Sequence, residues 1–200
     1  MPELPEVETM VRGLRPVLEG QTLQSASLLD PFLLQNVSAA DLESAFSGAT
    51  VESVARRGKW VVIALGGGRG IIVIQPRMTG GFWLVEPERK DHVRLLFRLQ
   101  HPSRIVWFCD TRRLGKIAWY PDLETAHHAF STSHGPDALE IDRSSLGQRL
   151  QKTTRAIKPT LMDQKVLAGI GNIYADEILY HSRIHPARPA NSLRSSDLDR

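Results

Sequence analysis

The spacing of apolar residues changes twice along this chain, and the changes divide it. Val7, Met10, Val11 and Leu14 recur at the period of one helix face. Pro5 suits the first helical position, and Glu6 and Glu8 suit the positive end of the helix dipole. From residue 22 the period shortens. Residues 22–29 and 50–54 have strand character, with a short helix at 41–46 between them. Residues 60–65 and 71–75 are β-rich runs joined by Gly66-Gly67-Gly68-Arg69-Gly70, a glycine-rich hairpin turn. A second hairpin pairs residues 92–99 with 104–110 around Gln100-His101-Pro102-Ser103, and 116–120 is a further short strand.

After Tyr120 the pattern changes again. His127, His128 and His134 are too irregularly spaced for a metal site and read as a surface connector. Helical periodicity starts at residues 144–152 and runs on through 157–167. Gly169-Ile170-Gly171-Asn172 then interrupts it, and 173–181 resumes as a helix. Many short strands followed by helices predict an α+β fold. The strands point to a sandwich or a barrel, taken here as an N-terminal antiparallel β-sandwich with flanking helices over residues 1–135, followed by a helical domain over 136–200.

Composition narrows the class. Hydrophobic content of 42% is ordinary for a globular protein, and a formal net charge of +3 allows a polyanionic partner without requiring one. No apolar run approaches membrane-spanning length, and the amino terminus lacks a secretory pattern, which predicts a soluble cytoplasmic protein. The single cysteine, Cys109, excludes an intramolecular disulfide and any multi-cysteine metal site within the chain.

Candidate chemistry gathers in five stretches. Removal of Met1 would expose the secondary amine of Pro2, and an α-amino group of pKa about 7.7–8.0 is partly nucleophilic at neutral pH. Beside Glu3 as a proton shuttle, that amine is suited to attack an electrophilic sugar carbon and form an iminium ion. The same residues also serve simply to open a helix. Gly169 to Asn172 places Asn172 as N-cap of the following helix, whose free amides make an anion site fit for a DNA phosphate; a helical hairpin turn is the plainer reading. Arg149, Lys152, Arg155 and Lys158 add positive charge upstream, or line a solvated face. Arg56-Arg57-Gly58-Lys59 groups three cations around a glycine, an arrangement that suits a phosphate clamp or, more plainly, an exposed charged turn. Asp110-Thr111-Arg112-Arg113-Leu114-Gly115 is a basic turn with an apolar tip, and Met78 in Pro76-Arg77-Met78-Thr79-Gly80 is another such tip. A wedge into duplex DNA needs that pairing, an apolar side chain to replace lost stacking and an arginine to bond the abandoned base.

Taken together, "PELPEVET", "RRGKW", "DTRRLG" and "IKPTLMDQKVLAGIGNIYADEIL" resemble the formamidopyrimidine-DNA glycosylase and endonuclease VIII family over essentially the whole chain. The last stretch is similar to that family's helix–two-turn–helix module. The resemblance implies a glycosylase and abasic-site lyase of base excision repair, acting on 8-oxoguanine and formamidopyrimidines in damaged double-stranded DNA held between the two domains. It implies Pro2 as Schiff-base nucleophile, Glu3 as proton donor and Lys59 as a catalytic-site contact to DNA near the lesion. Glu6 would line the lesion pocket. His92, Lys158 and Asn172 would hold phosphate. Met78, Arg112 and Leu114 would fill the gap left by the everted nucleotide, with Arg112 also contacting DNA. The arginine on the "DTRRLG" loop is more similar to the formamidopyrimidine branch.

The resemblance further implies a monomer, nucleoid-associated in a bacterial cytoplasm, with no cofactor within this chain. The family's one structural zinc ion sits in a C-terminal four-cysteine finger that these residues do not include. Leu114 stands where that branch usually carries phenylalanine. The end at Arg200 suggests a truncated helix–two-turn–helix domain, and with it the alternative of an impaired or non-catalytic DNA-binding protein.

Overall fold

The computed structural model describes residues 2–101 and 103–199. The removal of Met1, the place of Pro102 in the second hairpin and the chain end at Arg200 lie outside the described residues. In chain order the elements are α1 (Leu4–Leu18), β1 (Leu23–Leu28), α2 (Ala39–Phe46), β2 (Val51–Arg57), β3 (Trp60–Leu65), β4 (Gly70–Gln75), β5 (Gly80–Trp83), β6 (Val93–Leu99), β7 (Arg104–Asp110), β8 (Lys116–Tyr120), α3 (Leu123–Ser133), α4 (Arg143–Gln151), α5 (Ile157–Met162) and α6 (Asn172–His181). They form two compact units, Met1–Ala129 and Phe130–Arg200. The division falls inside α3, upstream of the boundary expected at 135/136.

The α1 stripe is where the periodicity places it, with Leu4, Val7, Val11, Leu14 and Leu18 buried. Glu3 is the N-cap, and Pro5 occupies the second helical position rather than the first. The Glu6 carboxylate accepts the Glu3 N–H at 2.9 Å, satisfying an amide that has no partner within the helix. Two four-stranded antiparallel sheets follow, in the orders β1-β6-β7-β5 and β2-β3-β4-β8. Along β3, Val61, Ile63 and Leu65 are buried while the residues between them are half-exposed, the alternation of a strand with one core face. Inward residues of both sheets (Phe97 and Phe108 from one, Ile63, Ile74 and Ile117 from the other) share a single core with α1 and with Leu42 and Phe46 of α2. Phe46 and Phe97 pack with ring centroids 4.9 Å apart.

Sequence pattern and structure part at three elements of backbone. Residues 123–133 are the helix α3, not a surface connector. Ala126 and Phe130, four apart, are its buried positions, and the exposed His127 and His128 between them hid the period. β5 opens on Gly80-Gly81 and spans 4 residues, too short and too glycine-rich to announce itself. The helix expected through residue 167 stops at Met162. Asp163 is its C-cap, and the Asp163 carboxylate accepts the Lys165 N–H at 3.0 Å.

The second unit has its own core of Leu150, Ile157, Leu161, Leu167, Ile170, Ala175, Leu179 and Ile184. Its turn between α5 and α6 is tied by Gln164. The amide Nε2 donates to the carbonyls of Met162 and Ile170, both at 2.8 Å, and Oε1 accepts the Gly169 N–H at 2.9 Å. Gly169 has φ +115°, a conformation that excludes ordinary side chains.

Candidate functional site

Pro2 is half-buried, and Glu3 beside it is 0% exposed. The β2–β3 hairpin turns on Gly58, whose φ of +54° is left-handed, and this turn presents Lys59. Burial pushes the Lys59 amine below the ordinary lysine range. The Glu3 carboxylate draws it partly back up, and the Arg77 guanidinium lowers it further. Glu3, Lys59 and the turn that bears Met78 therefore sense one another electrostatically. Arg56, expected among three phosphate-clamping cations, does not join them. Its side chain is 5% exposed, pairs with Glu8 at 3.0 Å and donates to the Gly58 carbonyl at 2.9 Å.

The two apolar tips come together. Met78 and Leu114 are 43% and 39% exposed, and Nη1 of Arg112 lies 3.3 Å from the Met78 sulfur. Beneath them sits Asp110, at the end of β7 and 0% exposed. Its Oδ1 accepts from the Thr79 hydroxyl and from the Arg112 N–H (3.2 Å), and its Oδ2 accepts the Gly115 N–H at 2.7 Å. The Thr79 hydroxyl in turn accepts the Arg112 N–H at 3.1 Å. The Met78 turn is closed by Gly80 N–H donating to the Pro76 carbonyl at 2.9 Å. A Cβ at Gly80 would stand 2.4 Å from that oxygen, so the turn requires glycine.

The two adjacent arginines of this loop have different duties. Arg113, at φ +56°, grips Asp30 with Nε at 2.5 Å and Nη2 at 2.8 Å and lies over the Phe32 ring at 5.4 Å. The Arg113 bond holds the Asp30 carboxyl below its usual range against the opposing effect of burial. Sequence reading found neither Asp110 nor Thr79 nor the Asp30 tether. Only an acidic residue opening the "DTRRLG" run hinted at the first.

In the second unit, Lys158 of α5 reaches Asp176 of α6, with Nζ 2.8 and 2.9 Å from the two carboxylate oxygens. Asp176 lies one turn beyond Asn172, so this pair brings Lys158 to the face of α6 that carries Asn172. Asn172 is not the N-cap. Gly171, extended at φ −123° and ψ −156°, takes that place, and Asn172 is the first helical residue, exposed. Glycine supplies the extended cap without a side chain, leaving the amide of Asn172 at the open end of α6. Of the upstream cations, Arg155 pairs with Asp163 at 2.8 Å. His92 is half-buried at the end of a short 3-10 turn, 3.4 Å from Arg89 and 3.5 Å from Asp91. Glu6 is exposed, and its carboxylate accepts the Glu3 N–H.

Cys109, the lone cysteine, is buried in β7. Among the described residues no group of three or more His, Cys, Asp or Glu side chains could hold a metal ion. No helix of the described residues is long and apolar enough to cross a membrane.

Residues 1–117 match a family model described as the formamidopyrimidine-DNA glycosylase N-terminal domain, and residues 134–200 match that of the formamidopyrimidine-DNA glycosylase H2TH domain. A formamidopyrimidine-DNA glycosylase of Chloroflexus aurantiacus is 36% identical over 203 residues, covering all of this chain and 72% of the relative. One from Neisseria meningitidis is 36% identical over 207 residues, covering 98% of this chain and 73% of its own. Among solved structures, a Lactococcus lactis formamidopyrimidine-DNA glycosylase non-covalently bound to DNA with an abasic site superposes with a TM-score of 0.89 at 28% identity. That match covers 99% of this chain and 76% of the other.

Proposed function

Because the chain belongs to the formamidopyrimidine-DNA glycosylase family, we propose that it excises oxidised purines, 8-oxoguanine and formamidopyrimidines, from duplex DNA and then cleaves the abasic strand. The observation that carries this reading is the fully buried Glu3 directly after Pro2, within electrostatic reach of Lys59. Taking a carboxylate out of water is costly. Held there beside the first amine, it is suited to proton transfer as well as to capping α1. Similarity to solved complexes of this family with abasic-site DNA, and to one with DNA containing N7-benzyl-Fapy-dG, supports the substrate class.

In the proposed reaction the unprotonated Pro2 amine attacks C1′ of the damaged nucleotide while Glu3 donates the proton that opens the sugar ring. The base departs and leaves an iminium ion. That cation acidifies the C2′ proton, and successive β and δ eliminations release both phosphates. Lys59 steadies the phosphate and sugar beside the lesion. Arg112, Met78 and Leu114 occupy the vacated stack, while Lys158, His92 and the amide end of α6 hold backbone phosphate.

Borohydride trapping tests this reading directly. With DNA carrying 8-oxoguanine or an abasic site, the mature amino terminus should become covalently joined to the sugar, and acetylating the amine should abolish the adduct. A crosslink that maps to a lysine instead would sink the assignment of Pro2.

A further inference from the structure

The two turns that carry the proposed void-filling side chains are joined beneath their tips by one knot of hydrogen bonds. Thr79 follows Met78 directly. Its hydroxyl accepts the Arg112 N–H at 3.1 Å and gives its own proton to Oδ1 of Asp110, which accepts the same Arg112 N–H at 3.2 Å. Asp110 is 0% exposed, so its carboxylate meets these donors out of water. The other oxygen of that carboxylate holds Gly115, the residue after Leu114. One buried carboxylate and one hydroxyl thus fix both ends of the Arg112–Leu114 loop and the base of the Met78 turn. Above the knot the Arg112 guanidinium touches the Met78 sulfur.

We propose that Thr79 is a positioning residue. Through Asp110 it locks the Met78 turn to the Arg112–Leu114 loop, so that the three tips enter the duplex as one wedge rather than as two independent fingers. This rests on the DNA-excision reading above, and it adds a role for a residue that touches neither the lesion nor the reacting atoms. A wedge assembled before the encounter loses less freedom at insertion than two loops that must be ordered separately. Thr79 supplies the side-chain link between the two turns, over and above the backbone pairing of Gly80 with Asp110 between β5 and β7, so removing its hydroxyl loosens the Met78 turn from the loop while Asp110 still holds Arg112 and Gly115.

The test follows nucleotide extrusion by stopped flow, using the whole chain and a fluorescent base analogue beside 8-oxoguanine. Met78→Ala and Arg112→Ala should each slow extrusion. In the wild-type background the double variant should be scarcely slower than the worse single, because either change disables the common wedge. In a Thr79→Val background the two penalties should instead multiply. Thr79→Val alone should slow extrusion about 3- to 10-fold, the range of one lost hydrogen bond, while Thr79→Ser should restore the wild-type rate. A merely structural role for Thr79 would lower the melting temperature without changing how the Met78 and Arg112 penalties combine. Penalties that multiply in the wild-type background overturn the single-wedge proposal, and this holds even if Thr79→Val fails to fold. Single variants that both extrude at the wild-type rate would overturn the void-filling reading itself, and the wedge with it.

Discussion

Lys158 spends its charge on Asp176, meeting both carboxylate oxygens within 2.9 Å. The residue proposed to hold a DNA phosphate is thus already holding an anion supplied by the next helix. A phosphate must displace that carboxylate or share the ammonium with it. Asp176→Asn should therefore tighten binding to undamaged duplex and steepen its salt dependence by up to about 0.9 in the slope of log K against log salt. Lys158→Ala should flatten the slope by a similar amount. Fluorescence anisotropy across a salt series measures both, and identical slopes in all three proteins would remove Lys158 from the interface.

Lys59 leads to a pH prediction. Its amine is lowered by burial and raised again by Glu3. Charged Lys59 is the form that attracts phosphate, so the alkaline loss of DNA binding should begin below the ordinary lysine range. Glu3→Gln removes the raising influence and should move that loss to still lower pH. Folding shows the other side of the same shift. Between the depressed folded value and the unfolded value near 10.5, the unfolded chain binds more protons, so stability rises with pH through that window. Lys59→Met should abolish its share of that rise. An alkaline limb that stays put in Glu3→Gln would disprove the coupling.

Glu3→Gln also separates the two chemical steps. It keeps size and hydrogen bonding but has no proton to give, so base excision should fall by roughly 10²- to 10⁴-fold. Cleavage at a pre-formed abasic site, where no base has to leave, should suffer less. Equal losses in the two assays would contradict the proton-donor role.

The adjacent arginines should fail in different ways. Arg112→Ala should lose discrimination of the base opposite the lesion at little cost in stability. Arg113→Ala leaves Asp30, 5% exposed, without its bidentate partner, and should cost about 1–3 kcal/mol. Denaturant melts and excision assays against the four opposing bases distinguish them. The outcome to look for against this view is a stability loss in Arg112→Ala as large as in Arg113→Ala.

Gly13 offers the converse case. It lies inside α1, exposed, with nothing within 4 Å of where a Cβ would stand. Gly13→Ala should stabilise the helix by about 0.5–1 kcal/mol, read as a melting temperature about 1–4 °C higher.

What sequence alone revealed follows a physical rule. Elements with a strong period were legible: Val7, Val11 and Leu14 announce α1, and the β3–β4 hairpin needs only its branched runs and its glycines. α3 was not, because Ala126 and Phe130 are its only buried positions and mostly polar residues surround them. The pair proposed to react, Pro2 and Glu3, could be singled out because the residues are neighbours and their chemistry is unusual. The bonds that position the site could not. Arg56 finds Glu8 across 48 residues, Thr79 finds Asp110 across 31, and only folding brings them together. Asn172 shows a subtler limit. It has the composition of an N-cap, yet the backbone of Gly171 occupies that position one residue earlier.

The bidentate clasp of Arg113 on Asp30, spanning 83 positions, has a consequence for divergence. The two codons form one heritable unit. Loss of Asp30 would release a second guanidinium next to Arg112, and loss of Arg113 would leave a buried carboxylate to the more distant Arg94, at 3.7 Å. Either change alone is a harmful intermediate. Lineages should therefore keep both residues or exchange both, and a related chain lacking an acid at position 30 is expected to have abandoned arginine at position 113 as well.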